Sequence, residues 1–272
     1  MTDRPFRFGV VAGHVPDLAA LTGLAGQAEE LGFDTLVTPD PVSGHDPLTV
    51  LAAVAATTER LRFGTFVLAE PFRDHRQLAW QARTLHRLSG GRFELGLGTG
   101  RPNAAGHAAS LGRDFASAGN RLAGLAELIG VIKQDTDRPP LLLAASGPKM
   151  IELAAREADV VTLSWGPKTT NSEALSVVDR FRAAVGDRAG EVELAMNLIA
   201  VGDAPAPQVE RYTGVSVDEL AASGAVTVLR GTPSEAAQRI RRWRAELGVS
   251  YFSVNGEFLN AFAPVVAELR GT

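Results

Sequence analysis

The sequence contains no cysteine, which excludes a disulfide framework, a thiolate metal site and a cysteine nucleophile. Its 27 basic residues do not exceed the 31 acidic ones and lie scattered, so the charge pattern of a nucleic-acid binder is absent. No apolar run approaches the roughly 18 residues of a bilayer span, and the first residues lack the apolar segment of a signal peptide. We therefore expect a cytoplasmic protein that binds neither nucleic acid nor membrane.

The signatures of two enzyme classes are also missing. The five histidines include no His-x-His or His-Glu-x-x-His spacing, so we expect no metal site. The Gly-x-Ser-x-Gly elbow of many hydrolases does not occur either. What remains is a chain of 272 residues, 45% of them hydrophobic, which is enough to build a large core.

Short runs of β-branched and aromatic residues alternate with longer segments that carry apolar residues at every third or fourth position. Eight such runs in 272 residues leave 34 residues for each strand and its helix, which favours an α/β fold of the (β/α)8 TIM-barrel type. A doubly wound parallel sheet is the alternative. No linker divides the chain, so we predict one domain over residues 1–272. The predicted strands are 6–11, 35–38, 62–69, 92–98, 141–145, 160–165, 193–201 and 251–255.

Capping residues mark the ends of several predicted helices. Asp17 can cap the first helix, and the third is predicted over residues 75–89. Late in the chain, Thr232 and Glu235 form a capping-box pattern. The segment 202–230 lies between the seventh and eighth strands, and we interpret it as an insertion over the mouth of the barrel.

In a (β/α)8 barrel the catalytic groups lie just after the carboxyl ends of the strands. His14 follows the first strand, and a histidine side chain can act as a proton carrier. Asp40 follows the second strand and stands between two prolines, which fix the direction of its carboxylate. A solvated histidine and a turn-forming aspartate are the structural alternatives.

Two further strand ends suit an anion. The segment 96–100 (GLGTG) contains Thr99 and Gly100, and glycines let backbone N–H groups approach a phosphate closely. Relief of crowding where the strand leaves the barrel would also explain these glycines. Ser146 and Gly147 precede a helix whose free N–H groups attract a phosphate.

Aromatic residues lie near the same strand ends, at Phe66, Phe72 and Trp165. An apolar floor beside two anion-binding loops suits a planar cofactor that carries phosphate. Core packing would account for each aromatic residue taken singly, so it is the combination that favours a cofactor.

Four blocks of the sequence resemble the luciferase-like family of flavin- and deazaflavin-dependent oxidoreductases, and the resemblance extends from Phe8 to Asn255. It implies a luciferase-like TIM barrel that holds coenzyme F420 or, alternatively, FMN, with the ring at the mouth. The blocks are residues 28–34 (AEELGFD), 46–49 (DPLT) with 59–65 (ERLRFGT), 88–98 (LSGGRFELGLG) and 153–159 (LAAREAD).

The resemblance also implies where the cofactor binds. A non-prolyl cis peptide at the end of the third strand maps to Phe66 and Val67, which would lie behind the ring. The phosphate contacts fall on the two strand ends described above, and Trp165 joins the set because of its position among the aromatic residues at the strand ends. The predicted cofactor-binding residues are Phe66, Val67, Thr99, Gly100, Ser146, Gly147 and Trp165.

The sequence departs from the family pattern at two candidate catalytic positions. Many relatives have Asp-His after the second strand, whereas here Asp40 is followed by Pro41. The sugar-phosphate dehydrogenase branch has an acid after the Thr-Gly pair, whereas here Arg101 stands there, so sugar-phosphate oxidation is not supported. Arg101 could instead bind an anionic substrate or the tail of the cofactor. The candidate catalytic residues are therefore Asp40, His14 and Arg101.

The resemblance implies an oxidoreductase that acts on a small organic molecule. With F420 the reaction would be hydride transfer, and with reduced FMN and oxygen it would be monooxygenation. A separate flavin or F420 reductase and a homodimer formed through the second and third helices are the implied partners. The alternatives are a barrel that binds a flavin without redox catalysis, a barrel that has lost its cofactor, and an aldolase or lyase.

Overall fold

The computed structural model describes residues 4–272 and contains a closed ring of eight parallel strands. The ring runs β1-β2-β3-β5-β6-β7-β8-β11 and closes because β11 pairs with β1. The predicted (β/α)8 barrel is confirmed, and the doubly wound sheet is wrong. The barrel strands are β1 (Arg7–Val11), β2 (Thr35–Thr38), β3 (Arg62–Thr65) with its continuation β4 (Leu68–Ala69), β5 (Phe93–Gly98), β6 (Leu141–Ala145), β7 (Val160–Leu163), β8 (Glu193–Leu198) and β11 (Val249–Asn255).

Helices surround the ring, and their ends follow the capping residues. Asp17 accepts a hydrogen bond from the Ala20 N–H at 2.8 Å, and Thr232 forms the predicted capping box with Glu235. The third helix ends at Leu88, one residue before the predicted end. The helices are α1 (Leu18–Glu30), α2 (Pro47–Thr57), α3 (His75–Leu88), α4 (Ala105–Ser110), α5 (Ala118–Ile132), α6 (Pro148–Glu157), α7 (Asn171–Val185), α8 (Pro207–Thr213), α9 (Val217–Ala222), α10 (Pro233–Leu247) and α11 (Leu259–Leu269).

The strands bury both of their faces. On β6, Leu141 and Leu143 belong to the large cluster that packs against the helices, whereas Leu142 belongs to a small cluster with Val160, Ala195 and Tyr251 from other strands. Successive side chains of a strand point to opposite faces, so the small cluster lies inside the ring. The barrel interior is therefore a packed core rather than a channel.

Charged side chains fill the amino-terminal end of the barrel. Arg7 forms ion pairs with Glu94 at 2.7 Å and Glu193 at 2.6 Å, and Arg62 pairs with Glu94 at 2.5 Å. Burial lowers the pKa of Arg7, but the two glutamates outweigh burial, so this pKa lies above its usual value. The Arg7 guanidinium also lies 4.6 Å from the centre of the buried Tyr251 ring. These pairs close one end of the barrel.

The insertion between the seventh and eighth barrel strands is confirmed. It contains the short parallel pair β9 (Ala200–Val201) and β10 (Val228–Leu229), and between them α8 and α9. The helical stretch predicted around 217–222 is α9, whereas α8 was not predicted. The Thr227 hydroxyl donates to the Pro167 carbonyl at 2.6 Å, which fixes the insertion to the loop after β7.

No helix within residues 4–272 combines the length and the apolar character needed to cross a bilayer. Over the same residues, no three histidine, aspartate or glutamate side chains converge where they could hold a metal ion together.

Gly64 provides a test of how closely the barrel strands approach each other. A Cβ atom at this position would lie 2.5 Å from the Glu94 carbonyl oxygen on the neighbouring strand. We expect Gly64→Ala to lower the free energy of unfolding by about 1–3 kcal/mol, since the backbone must shift. Gly23→Ala is the matched control, because Gly23 lies inside α1 with open space around it, and alanine there should stabilise by about 0.5–1 kcal/mol. Urea unfolding of both variants measures the difference, and equal effects would contradict this packing.

Candidate active site at the barrel mouth

The strand from β3 to β4 is interrupted at the mouth. Gly64 on β3 pairs with Glu94, and Leu68 on β4 pairs with Leu97. Three residues therefore lie between the two paired positions on this strand, whereas only two lie between their partners on β5. The extra residue forms a β-bulge. The Thr65 hydroxyl replaces part of the backbone hydrogen bonding that the bulge removes between the two strands. It donates to the Gly96 carbonyl and accepts from the Gly96 N–H, both at 2.8 Å.

The bulge places Phe66 and Val67 inside the ring. Both side chains are half-buried and pack against the lumen cluster that contains Leu142 and Tyr251. The peptide bond between Phe66 and Val67 is cis, as the resemblance implies. These two side chains form an apolar wall whose outer part is open to the mouth.

Two glycines on β5 make room for this wall. A Cβ on Gly96 would collide with the Thr65 carbonyl oxygen and would lie 3.1 Å from Val67 Cγ1. A Cβ on Gly98 would lie 3.0 Å from Val67 Cγ2. Gly96 and Gly98 therefore allow the bulge to pack closely against β5. This agrees with the structural alternative, in which the glycines relieve crowding where the strand leaves the barrel.

Thr99 and Gly100 leave β5 in a fixed conformation. Arg121 from α5 donates to the Thr99 carbonyl at 2.9 Å, and its guanidinium lies 4.1 Å from the centre of the Phe115 ring. Gly100 has a φ of 78°, and a Cβ there would lie 3.1 Å from Phe115. The sequence predicted Thr99 and Gly100 at the mouth but not Arg121, which anchors them.

Ser146 and Gly147 lie at the next strand end and are both exposed. Gly147 is the N-cap residue of α6, where no side chain caps the first N–H groups of the helix. Its φ of 113° and ψ of 162° are conformations that side chains rarely adopt, although a Cβ would meet no atom within 4 Å. The result is a free helix N-terminus with open space in front of it, which is a suitable geometry for an anion.

Trp165 follows β7 and lies at the strand end next to Ser146 and Gly147. Its ring packs against the main core, and its Nε1 atom is shielded from solvent. No acceptor for this N–H is present among the residues that the structure describes. A buried donor without an acceptor is costly, which makes this N–H a candidate for a ligand contact.

Asp40 has a structural partner at the mouth. Its carboxylate accepts two hydrogen bonds from Arg73, at 2.5 and 2.7 Å, and one from the Ala69 N–H at 3.0 Å. The Asp40 side chain is only 6% exposed. The pair joins the end of β2 to β4, directly after the bulge. This geometry favours a positioning role for Asp40 over contact with a reacting atom, and Arg73 was not predicted from the sequence.

The part of the mouth formed by β8, β11 and β1 is polar. The Ser253 hydroxyl donates to Asn197 Oδ1 at 3.0 Å, and Asn255 is exposed at the end of β11. His14 is also exposed, and its side chain makes no hydrogen bond to the described part of the chain. Neither Ser253 nor Asn197 was singled out by the sequence pattern.

Arg101 is exposed and approaches the insertion. Its Nη1 donates to the Tyr212 hydroxyl at 3.1 Å, and Tyr212 lies on α8. This contact joins the insertion to the loop after β5, and no pattern in the sequence pointed to Tyr212.

Two hollows lie on the helical shell rather than at the mouth. One, of about 370 Å³, lies between α3 and the segment after α5, and the other, of about 650 Å³, lies between α10 and the insertion. Neither is lined by a residue predicted for the site. Because ligands of such barrels bind at the carboxyl ends of the strands, we place the candidate site at the mouth.

Asp40→Asn tests the positioning role. The substitution removes the charge that pairs with Arg73, so we expect a loss of about 2 kcal/mol in the free energy of unfolding at pH 7. His14→Ala is the comparison, because replacing an exposed side chain without a partner should change the free energy of unfolding by less than about 0.5 kcal/mol. Thermal unfolding measures both, and a neutral Asp40→Asn would contradict the assignment.

Comparison with known proteins agrees with this geometry. The sequence pattern of the family described as luciferase-like monooxygenase matches residues 5–138. Curated proteins yield no match.

Three solved structures share the fold. An F420-dependent secondary alcohol dehydrogenase in complex with an F420–acetone adduct is 18% identical, with a TM-score of 0.76 over 98% of this chain and 100% of that one. The EDTA monooxygenase of Chelativorans sp. BNC1 is 15% identical, with a TM-score of 0.77 over 97% and 94%. The F420-dependent tetrahydromethanopterin reductase of Methanopyrus kandleri is 16% identical, with a TM-score of 0.74 over 98% and 100%. Residues 5–138 thus match the sequence pattern of the luciferase-like monooxygenase family, and the chain shares its barrel fold with these solved structures.

Proposed function

We propose that the protein is an oxidoreductase that binds coenzyme F420 at the barrel mouth and acts on a small organic molecule. The observation that carries this proposal is the apolar wall of Phe66 and Val67, which stands inside the barrel beside the free N-terminus of α6. Two neighbours in fold are F420-dependent. FMN is the second candidate cofactor, because another neighbour, a riboflavin lyase, holds a modified FMN.

The residues at the mouth fit a ring that carries phosphate. Phe66 and Val67 offer an apolar surface, and the Trp165 N–H needs an acceptor. Ser146 and Gly147 are exposed before an uncapped helix. When bound, such a cofactor supplies two-electron chemistry that amino-acid side chains lack.

Each residue then has a role toward the ligand. Phe66 and Val67 support the ring and exclude water from one of its faces. Ser146 and the first N–H groups of α6 hold the phosphate. Trp165 donates its N–H to the ligand, which satisfies a donor that is otherwise buried without a partner.

His14 is the proposed proton-carrying residue. It is exposed after the end of β1, on the polar part of the mouth. Asp40 acts through the backbone instead, because its hydrogen bond to the Ala69 N–H fixes the strand that carries the wall. A substrate would lie between the ring and this polar part.

The partners implied by the family remain proposals. A reductase that supplies reduced F420 or FMN would act as a separate protein. For a homodimer through α2 and α3, the support is apolar surface on α3, where Trp80 is 63% and Leu88 is 82% exposed. Sedimentation that gives the monomer mass of 28.7 kDa would contradict the dimer.

Titration of the purified protein with F420 and with FMN tests the proposed function. We expect F420 to bind with a micromolar dissociation constant and FMN to bind more weakly. Fluorescence quenching measures both affinities. Selective binding of FMN would instead support a reductase-fed monooxygenase. Binding of neither would contradict the proposal and favour a barrel that has lost its cofactor.

Gly147→Ala locates the phosphate in the same titration. Alanine at a positive φ costs about 1–2 kcal/mol of stability, and it would also displace the phosphate from the backbone, so we expect at least tenfold weaker binding, about 1.4 kcal/mol. Gly90→Ala is the matched control, because Gly90 also has a positive φ of 63° and open space but lies at the end of α3, away from the mouth. Equal affinity in the two variants would show that the phosphate binds elsewhere.

A further inference from the structure

Arg101 is a cation without an anionic partner. It follows Gly100 at the end of β5, and its guanidinium donates to the neutral hydroxyl of Tyr212 at 3.1 Å. Within residues 4–272 it forms no ion pair with an aspartate or glutamate, although many other arginines of the chain do. A guanidinium has five donors arranged to match a carboxylate, so most of the hydrogen-bonding capacity of Arg101 is unused.

The backbone that carries Arg101 is fixed. Thr99 is tied to Arg121 at 2.9 Å, and Gly100 packs against Phe115, over which Arg121 lies. The first residues after β5 therefore cannot turn away from the mouth without breaking this anchor. Only the side chain of Arg101 can therefore change its hydrogen-bond partner.

The contact with Tyr212 crosses part of the mouth. Arg101 follows β5 and Tyr212 belongs to the insertion after β8, and these strands are three places apart in the ring of eight. The strands between them are β6 and β7, whose ends carry Ser146, Gly147 and Trp165. Tyr212 is 71% exposed, so a ligand that reaches this part of the mouth can replace it as the partner of Arg101.

Four acidic side chains at this end of the barrel are engaged elsewhere. Asp40 is held by Arg73, and Glu70 accepts from His75 at 2.8 Å. In the insertion, Arg230 pairs with both Asp203 and Asp218. These ion pairs leave the charge of Arg101 available to a ligand.

We propose that Arg101 binds a carboxylate carried by a ligand of the mouth; where that ligand is the substrate, organic acids are the substrate class of this enzyme. The inference rests on the proposed function, because it uses the same mouth. A carboxylate accepts two parallel hydrogen bonds from a guanidinium and displaces a neutral phenol readily. The carboxylate belongs either to the substrate or to the glutamate tail of F420, and the two sources are separable by experiment.

The substrate arm measures ligand-induced stabilisation of the cofactor-loaded protein. Benzoate and hexanoate are compared with benzamide and hexanamide, which have the same shape without the charge. We expect the acids to raise the melting temperature of the wild type more than the amides do. Arg101→Gln should weaken binding of the acids at least tenfold and leave the amides unchanged, whereas Tyr212→Phe should change binding of the acids by less than threefold.

The cofactor arm compares F420 with F420 whose tail carboxylates are converted to amides, which keeps the phosphate. If Arg101→Gln weakens F420 at least tenfold but not the amidated cofactor, Arg101 binds the cofactor tail, and the carboxylate chemistry is upheld with that source. If the acids lose affinity and F420 does not, the substrate is the source.

The inference is overturned if Arg101→Gln changes neither the difference between acids and amides nor the difference between F420 and its amidated form. Where no acid stabilises the wild type, the cofactor comparison alone decides. The proposed function fails separately, when neither F420 nor FMN binds the wild-type protein.

Discussion

The close approach of β3 and β5 is the constraint on which the mouth of this barrel depends. At Gly64 and Gly96 the neighbouring carbonyl oxygens occupy the space that a side chain would need. Because no side chain separates the strands, the Thr65 hydroxyl can bridge both polar groups of Gly96, and the extra residue of the bulge turns into the barrel. The apolar wall of Phe66 and Val67 follows from this backbone packing. The apolar surface at the mouth is thus a consequence of three glycines on two strands, Gly64, Gly96 and Gly98, which carry no side chain.

The two ends of the barrel have opposite chemistry. At the amino-terminal end, Arg7 and Arg62 neutralise Glu94 and Glu193 within the lumen, so that end is closed by compensated charge. At the carboxyl end, the buried Trp165 N–H has no partner among the described residues, and the exposed guanidinium of Arg101 has no anionic one. Buried polar groups are normally satisfied in a folded protein. Arg4 Nε and Asn171 Oδ1 are also buried without partners, so the barrel fold locates the site at the mouth and the Trp165 N–H adds support.

Local patterns in the sequence predicted the elements, and long-range pairing determined the site. Alternation of strand and helix patterns predicted the eight barrel strands, because each pattern depends on neighbours within a few residues. The partner of Asp40 could not be predicted in this way, since Arg73 lies 33 residues further along the chain and is one of 24 arginines. Tyr212 lies 111 residues from Arg101, in a helix that the sequence pattern did not predict. An aspartate between two prolines is compatible with a turn and with a catalytic acid. Only the fold shows that Asp40 holds β4 in place.

The central claim is that a cofactor ring lies against Phe66 and Val67, and a crystal structure of the protein soaked with F420 or FMN tests it most directly. The account predicts the fused rings on that wall, the phosphate within hydrogen-bond distance of Ser146 and the first N–H groups of α6, and the Trp165 N–H paired with the ligand. Density for the cofactor on the helical shell, or a lumen with no room for the rings above Val67, would contradict it.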